Sequence, residues 1–222
     1  MKKVVVIALV VLGVLLGLGV VADRAAASVA ENQISSQVAQ RLPGATSVST
    51  SIHGVPLLTQ LAKGSLDSVS VSMRGVPTDG GLTLDSVVVD LTSVSTSAPR
   101  TASSVHAVAD VTSQALSAKL GDGWDVATDG SALVVSSTSS LPVQAHVTPT
   151  VEAGKLGFHL DSVSLFGLTV EGDRIPSSLT DRVTALAGGL GELPWGLTAQ
   201  SVTVTPAGVQ VVAGGTDVAL EG

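Results

Sequence analysis

Residues 65–73 read Ser65-Leu66-Asp67-Ser68-Val69-Ser70-Val71-Ser72-Met73, and from residue 68 onward serines alternate with apolar side chains. Because successive side chains of a β-strand point to opposite faces of a sheet, this alternation predicts a strand with one buried face and one face toward solvent. Val48 and Ile52 lie on one face of a similar stretch just upstream. The first half of the chain therefore predicts paired, half-buried strands.

The two-residue period returns further along the chain. It is carried by Leu141, Val143, Ala145 and Val147, then by Leu156, Phe158 and Leu160 after a turn at residues 152–155, and finally by a hairpin that sets Val202 and Val204 against Val209 and Val211. Leu82 and Leu84 occupy one phase, whereas Val87, Val89 and Leu91 occupy the other. This change of phase predicts a β-bulge near Asp85 and Ser86, and a bulge bends and twists a sheet.

Helical spacing appears in three places. An apolar stripe of Ala27, Ala30, Ile34, Val38 and Leu42 ends at Pro43 and Gly44; a second helix begins with Asp110 as its cap and ends at Gly121; a third follows Pro176 with Leu179, Val183, Leu186 and Leu190 on one face. These spacings and end signals are typical of amphipathic helices. Strands and helices do not alternate regularly, so the sequence predicts an α+β domain with long antiparallel strands.

Composition excludes several functional classes. The chain has 222 residues with 11 basic and 18 acidic side chains, a formal net charge of −7 and no cysteine. A nucleic-acid-binding protein needs a basic stripe, which this chain lacks. The absence of cysteine excludes disulfides, thiol catalysis and cysteine metal sites, and no other metal or cofactor motif is present.

The amino terminus predicts a membrane segment. Lys2 and Lys3 precede an uninterrupted apolar run over residues 4–22, which ends at Asp23. A helix of that length crosses most of a bilayer's hydrocarbon core, and the lysines favour a cytoplasmic amino end. Alternatively the run is a secretory signal cleaved near residues 28–30. We expect an anchor or signal over residues 1–23 and one domain over residues 24–222, on the extracytoplasmic side of the membrane or exported.

Catalytic signals are weak. His106 lies four residues before Asp110, but that spacing brings two side chains together only on a helix, and the surrounding sequence predicts a strand. Trp124 and Trp195 both fall in turn-forming sequence. Each ring either closes one end of the core or dips into a lipid headgroup layer, and the sequence leaves both interpretations open.

One segment resembles a known family. It runs His53-Gly54-Val55-Pro56-Leu57-Leu58-Thr59-Gln60-Leu61-Ala62-Lys63-Gly64-Ser65-Leu66-Asp67-Ser68-Val69-Ser70-Val71, and the step Leu193-Pro194-Trp195-Gly196-Leu197 precedes the last hairpin. In this order the motifs resemble the LmeA-like proteins of the actinobacterial cell envelope, over residues 24–220. The resemblance implies a tubular lipid-binding domain similar to the BPI-like fold, a strongly curved antiparallel sheet wrapped around a long helix. It also implies a link to lipomannan maturation and to phosphoinositide-like lipids.

A non-enzymatic lipid-binding function follows as an expectation from this resemblance. The protein would bind, present or transfer a phospholipid or glycolipid precursor at the outer side of the bacterial inner membrane. We expect the apolar phases of the strands and the third helix to line the groove, through Ile52, Leu58, Leu61, Leu66, Val69, Val71, Leu82, Leu84, Leu179, Val183 and Leu186. The candidates for headgroup recognition are the basic residues Lys63, Arg74 and Arg174.

Two other functions stay open at this point. One is a structural or scaffolding module with a solid core that recruits an envelope glycosyltransferase. The other is a lipid hydrolase that uses His106 or one of the serines. Bound lipid in the purified protein would favour the carrier over the scaffold, and turnover of phospholipid would favour the hydrolase.

Overall fold

The computed structural model describes residues 23–40, 44–54, 56–78, 80–137, 143–171 and 193–220. Within them the helices are α1 (23–40), α2 (Leu57–Lys63) and α3 (Ser113–Leu120). The strands are β1 (Ser47–His53), β2 (Ser65–Pro77), β3 (Thr83–Ser95), β4 (Thr101–Thr112), β5 (Trp124–Thr128), β6 (Leu133–Ser137), β7 (Val143–Glu152), β8 (Lys155–Leu165), β9 (Leu168–Glu171), β10 (Thr198–Thr205) and β11 (Gly208–Ala219). A short 3-10 turn, Pro194–Gly196, precedes β10.

The strands form two antiparallel sheets. Sheet A has the order β1-β2-β3-β4-β11-β10, and sheet B has the order β5-β6-β7-β8-β9. Sheet B is a meander in which every strand pairs with its neighbour in sequence, whereas sheet A brings β11 in beside β4. The predicted α+β class with antiparallel strands is confirmed.

Neither sheet is strongly curled. The expectation of one strongly curved sheet wrapped around a long helix is therefore wrong in its curvature and in its number of sheets. The apolar interior is covered by two sheets rather than one. Helix α3 lies between β4 and β5 in the chain and separates the last strand of the first half of sheet A from the first strand of sheet B.

The predicted bulge at Asp85 and Ser86 is also wrong. The pairing of β2 with β3 keeps one register along the whole ladder, so neither strand has an extra residue there. In both strands the alternation of core-facing residues instead shifts by one residue at the same point. Gly75, with φ +61, lies directly before Val76, which pairs with Leu84, and allows this shift. The change of phase that the sequence indicated is real, but it leaves the ladder intact.

The later strands agree closely with the sequence. Val202 pairs with Val211 and Val204 pairs with Val209, which confirms the predicted carboxyl-terminal hairpin. Glu152 pairs with Lys155 across the turn between β7 and β8, as expected.

The first predicted helix is confirmed over residues 23–40, whereas Leu42 and Pro43 lie outside the described residues. The second starts later than predicted. Asp110 is a residue of β4, where its carboxylate accepts hydrogen bonds from the Ser86 hydroxyl and the Gln210 side-chain amide. The N-cap of α3 is Thr112, whose hydroxyl accepts from the Ala115 amide. The predicted third helix lies outside the described residues.

Buried apolar residues form two clusters. The first lies between α1 and sheet A and contains Ala27, Ile52, Leu57, Leu66, Val69, Val71, Met73, Val76, Val87, Val89, Leu91, Ala102, Val105, Leu197, Ala213 and Val218. The second joins sheet B and α3 to one end of sheet A and contains Leu82, Val111, Leu116, Val126, Leu133, Val135, Ala145, Val147, Leu160, Val163, Val209 and Val211. Strand β11 contributes to both clusters, with Ala213 and Val218 in the first and Val209 and Val211 in the second.

The turn between β5 and β6 is closed by a carboxylate. Asp129 Oδ1 accepts hydrogen bonds from the amides of Ala132 and Ser131 and from the Ser131 hydroxyl. The Ala132 amide, followed by the two Ser131 donors, lowers the pKa of Asp129 from 3.8 to about 2. Because the folded pKa is lowered, the ionised carboxylate stabilises the fold above its ordinary pKa, and this stabilisation is lost as the pH falls through the folded pKa.

Asp129→Asn is expected to lower the thermal midpoint at neutral pH, since asparagine keeps the shape of the turn but loses the charge. Thermal unfolding of both proteins down to about pH 2, the folded pKa of Asp129, checks this expectation. The difference between the midpoints should shrink once the pH falls below 3.8. A difference that stays constant with pH would contradict the role of the charge.

Candidate functional site

One face of sheet A carries an almost unbroken apolar surface, which we call the inner face. One row crosses five strands in register as Thr50, Val71, Val89, Ala107 and Ala213. The next row crosses them as Val48, Met73, Val87, Ala109 and Val211. The alternation that predicted a buried face thus combines across neighbouring strands into a two-dimensional apolar surface.

The two clusters cover the inner face from opposite ends. Helix α1 packs Ala26, Ala30, Ile34 and Val38 against the first cluster, and sheet B covers the other end through the second cluster. Leu84 packs against both clusters. Its half-buried side chain therefore lies where the part of the inner face covered by α1 meets the part covered by sheet B.

The middle of the inner face is less well covered than its ends. Ala107 and Ala109 are only half-buried, although β4 lies in the interior of sheet A. Ala213 lies beside Ala107 on β11 and Ala199 of β10 lies beside Ala213, so three methyl groups follow Val89 in this row. We call Ala107, Ala109 and Ala213 the alanine patch. Small side chains at the centre of a sheet leave room above them for an apolar chain to pack.

A polar group lies at the edge of the same row. Thr50 is buried on β1, and its hydroxyl has no hydrogen-bond partner. A buried hydroxyl without a partner costs about 1–3 kcal/mol. Buried polar groups in proteins are generally satisfied, so this hydroxyl is suited to bond a polar group of a bound ligand. No signal in the sequence separates Thr50 from the many other serines and threonines.

Helix α1 is fixed along the edge of the inner face by two carboxylates that the sequence analysis did not identify. Glu31 Oε1 accepts from the Ile52 amide at 2.8 Å, and Asp23 Oδ1 accepts from the Leu58 amide at 2.9 Å. Hydrogen bonds from the backbone of Leu57 and then of Leu58 lower the pKa of Asp23. These bonds hold the start of α1 to the start of α2.

The predicted groove residues fall into separate places. Ile52, Leu66, Val69 and Val71 belong to the first cluster, Leu82 belongs to the second, and Leu84 lies between the two. Leu58 and Leu61 lie on the exposed side of α2, whose buried side carries Leu57 and Gln60. Leu179, Val183 and Leu186 lie outside the described residues. The inner face thus brings together the predicted strand residues but not the two leucines of α2.

The predicted headgroup residues are not brought together. Lys63 is exposed in the last turn of α2, next to the start of β2. Arg74 is exposed near the other end of β2, about 30 Å further along at 3.3 Å per residue. Arg174 lies outside the described residues. Headgroup recognition by these three side chains stays a prediction.

The histidines and aspartates of sheet A lie on its outer face. Ser70 donates a hydrogen bond to Asp90, and His53 Nε2 lies 3.1 Å from the Ser70 hydroxyl oxygen. In a serine–histidine pair that performs nucleophilic catalysis the serine hydroxyl donates to the histidine, whereas here it donates to Asp90. His106 pairs with Asp90 in register and lies on β4, as its flanking sequence predicted. Four residues of strand separate it from Asp110 by about 13 Å.

Among the residues with described positions, no group of three or more histidine, aspartate and glutamate side chains could hold a metal ion. Within the described ranges, no helix has the length and apolar character needed to span a bilayer.

Comparisons with known proteins add one identification. No curated protein and no solved structure matches the chain. A family model described as LmeA-like phospholipid-binding does match it over residues 21–214, a range that includes the three helices, all of sheet B, and sheet A except for the last residues of β11. The chain belongs to the LmeA-like phospholipid-binding family.

Proposed function

We propose that this protein binds one phospholipid or glycolipid precursor against the inner face of sheet A without chemical conversion. The observation that carries the proposal is the half-burial of Ala107 and Ala109 on β4, an interior strand of sheet A, next to the buried Ala213. Family membership supports a phospholipid as the ligand. Burial of ten methylenes of an acyl chain would contribute roughly 8 kcal/mol, which is enough for binding without any catalytic group.

Thr50 indicates how a bound lipid would be oriented in the proposed site. The row that contains Ala107 ends at Thr50 with the buried Val89 and Val71 between them, so an acyl chain that reached the Thr50 hydroxyl would displace the present cover of these two valines. That hydroxyl can donate a hydrogen bond to an ester carbonyl of the lipid, since it has no partner within the protein. The apolar tail and the first polar group of a glycerolipid would then both find complementary surfaces.

We further propose that the domain works on the extracytoplasmic side of the inner membrane and supports envelope lipoglycan maturation. The apolar run over residues 4–22 supports a membrane anchor or an export signal. Presentation of a lipid precursor to an envelope enzyme would require neither metal nor nucleophile. A scaffold that recruits a glycosyltransferase through its surface would instead carry no lipid.

Native mass spectrometry of the full chain, extracted from its membrane in mild detergent, tests the proposal. We expect a bound mass that organic solvent releases and that lipid analysis identifies as a phospholipid or glycolipid. A folded protein that carries no such mass, even after incubation with phospholipid, would exclude the carrier function and favour the scaffold.

Thr50→Val is expected to separate ligand binding from stability. Valine has the same shape but no hydroxyl, so the lipid-free variant should be more stable than the wild type by about 1 kcal/mol. Loss of one hydrogen bond to the lipid should lower its retention about tenfold. Chemical denaturation of the delipidated protein and native mass spectrometry measure the two effects. Unchanged retention would show that the hydroxyl does not contact the lipid.

A further inference from the structure

Apolar side chains are exposed at one end of sheet B, on the hairpin formed by β8 and β9. Phe166 is 65 % exposed and Leu168 is 75 % exposed, and Leu165 and Val170 beside them are also exposed. None of these residues belongs to the inner face of sheet A. Large exposed apolar side chains that lie together indicate a surface for a partner, whereas single ones do not.

The register explains why these residues share one surface. A row across sheet B runs through Val126, Val135, Ala145, Val163 and Val170. Its first four members are buried in the second cluster, but the last one, on β9, is exposed. The hairpin therefore extends the buried face of sheet B past the cover that sheet A provides.

The row beyond it completes the apolar end. In it Val143 pairs with Leu165 and Leu165 pairs with Leu168, whereas Trp124 pairs with Ser137 on β6 and packs partly against the second cluster. The opposite face of the hairpin is polar, with Ser162, Ser164, Thr169 and Glu171, and the hydroxyls of Ser164 and Thr169 lie 2.8 Å apart. The hairpin is thus amphipathic.

The turn at the tip holds an aromatic ring outward. Phe166 has φ +50 and Gly167 has φ +79, which are the two positive values of a type I′ turn. Asparagine, aspartate or glycine is usual at the first of these positions, and a bulky residue is uncommon there. The chain thus places a phenylalanine where the backbone alone favours a small polar residue.

We propose that the tip of this hairpin, Leu165–Leu168, inserts into the surface of a zwitterionic phospholipid bilayer. A lipid surface fits better than a second copy of the chain, because β9 has only four residues and offers a short edge for strand pairing. It also fits the phospholipid-binding family. Glu171, the last residue of β9, gives the hairpin a negative charge, which disfavours an anionic surface.

Site-directed spin labelling tests the proposal in the full chain, because the protein has no native cysteine. Phe166→Cys carries the label at the tip, and Val88→Cys, an exposed valine on the outer face of sheet A, carries the matched control. Both proteins are reconstituted in phosphatidylcholine vesicles. We expect the ratio of oxygen to nickel-chelate accessibility to be about threefold or more higher at residue 166 than at residue 88. Adding Leu168→Asp should remove that difference.

Two results would overturn the proposal. Equal ratios at residues 166 and 88 would show that the tip lies in water. Strong dipolar broadening between labels at residue 166 would show that a second copy covers it. The proposed membrane-docking surface is separate from the proposed lipid-binding site on sheet A. Leu168→Asp should therefore leave the amount of lipid bound to the protein unchanged. Failure of one proposal is therefore distinguishable from failure of the other.

Discussion

Gly208→Ala is expected to lower the free energy of unfolding by about 4 kcal/mol, through backbone strain and a steric clash together. Gly208 begins β11 with φ +155, and a Cβ at this position would lie 2.0 Å from the Val111 carbonyl oxygen and 2.8 Å from the Ser113 amide nitrogen. These atoms are backbone and cannot rotate away. For a chain of this size the thermal midpoint should fall by about 8–16 °C.

The position of Gly208 explains why the effect should spread. It pairs with Thr112, which caps α3, and the adjacent Ala207 carbonyl accepts a hydrogen bond from the Ser113 amide. The Pro206 carbonyl of the same turn accepts from the Thr128 hydroxyl of sheet B. A displaced Gly208 would therefore loosen sheet A, α3 and sheet B where they meet.

Gly123→Ala is the matched control for this experiment. Gly123 has φ +92, but a Cβ there would meet nothing within 4 Å, so only the cost of the backbone conformation remains. That cost should be about 1–2 kcal/mol. Equal losses in the two variants, measured by chemical denaturation, would contradict the clash at Gly208.

Ala107→Phe is expected to reduce lipid retention about thirtyfold. The phenyl group would extend over the alanine patch and displace two or three methylenes of an acyl chain, worth about 2 kcal/mol. Native mass spectrometry of the extracted full chain measures the bound lipid. Because overpacking can cost about 1–3 kcal/mol of stability, the thermal midpoint is recorded in parallel.

Val108→Phe provides the control for Ala107→Phe, because it is the next residue of the same strand and its side chain lies on the outer face of sheet A. We expect it to retain lipid as the wild type does. If the folded Ala107→Phe protein also carried as much lipid as the wild type, the alanine patch could not be the binding surface.

Much of the secondary structure could be predicted from alternation alone. The strand that contains Val69 and Val71, the hairpin of Val202 with Val211, and the stripe of α1 all follow from local periods of two or of three to four residues. The choice of sheet could not be predicted, because alternation states which side of a strand is buried but not which strand lies beside it. The interruption by α3 was the available signal for a second sheet.

The candidate site was predictable only in part. Ile52, Leu66, Val69 and Val71 were identified because each lies on the apolar phase of a strand. Leu58 and Leu61 were grouped with them because α2 is only seven residues long, too short for its helical period to show which side is buried. Thr50 and the two carboxylates of α1 depend on contacts between distant segments, which no local pattern contains.

Strand β11 has a consequence for how the protein reaches its native state. Among the strands with described positions it is last in the sequence, yet it pairs with β4, from Gly208 opposite Thr112 to Ala219 opposite Thr101. Its residues Val211 and Ala213 enter different clusters, so neither cluster is complete until β11 has docked. Such long-range pairing slows folding. A chain that is still emerging from a ribosome or a translocon would leave the apolar residues of both clusters exposed to solvent. Productive folding would then have to wait until β11 itself has been delivered.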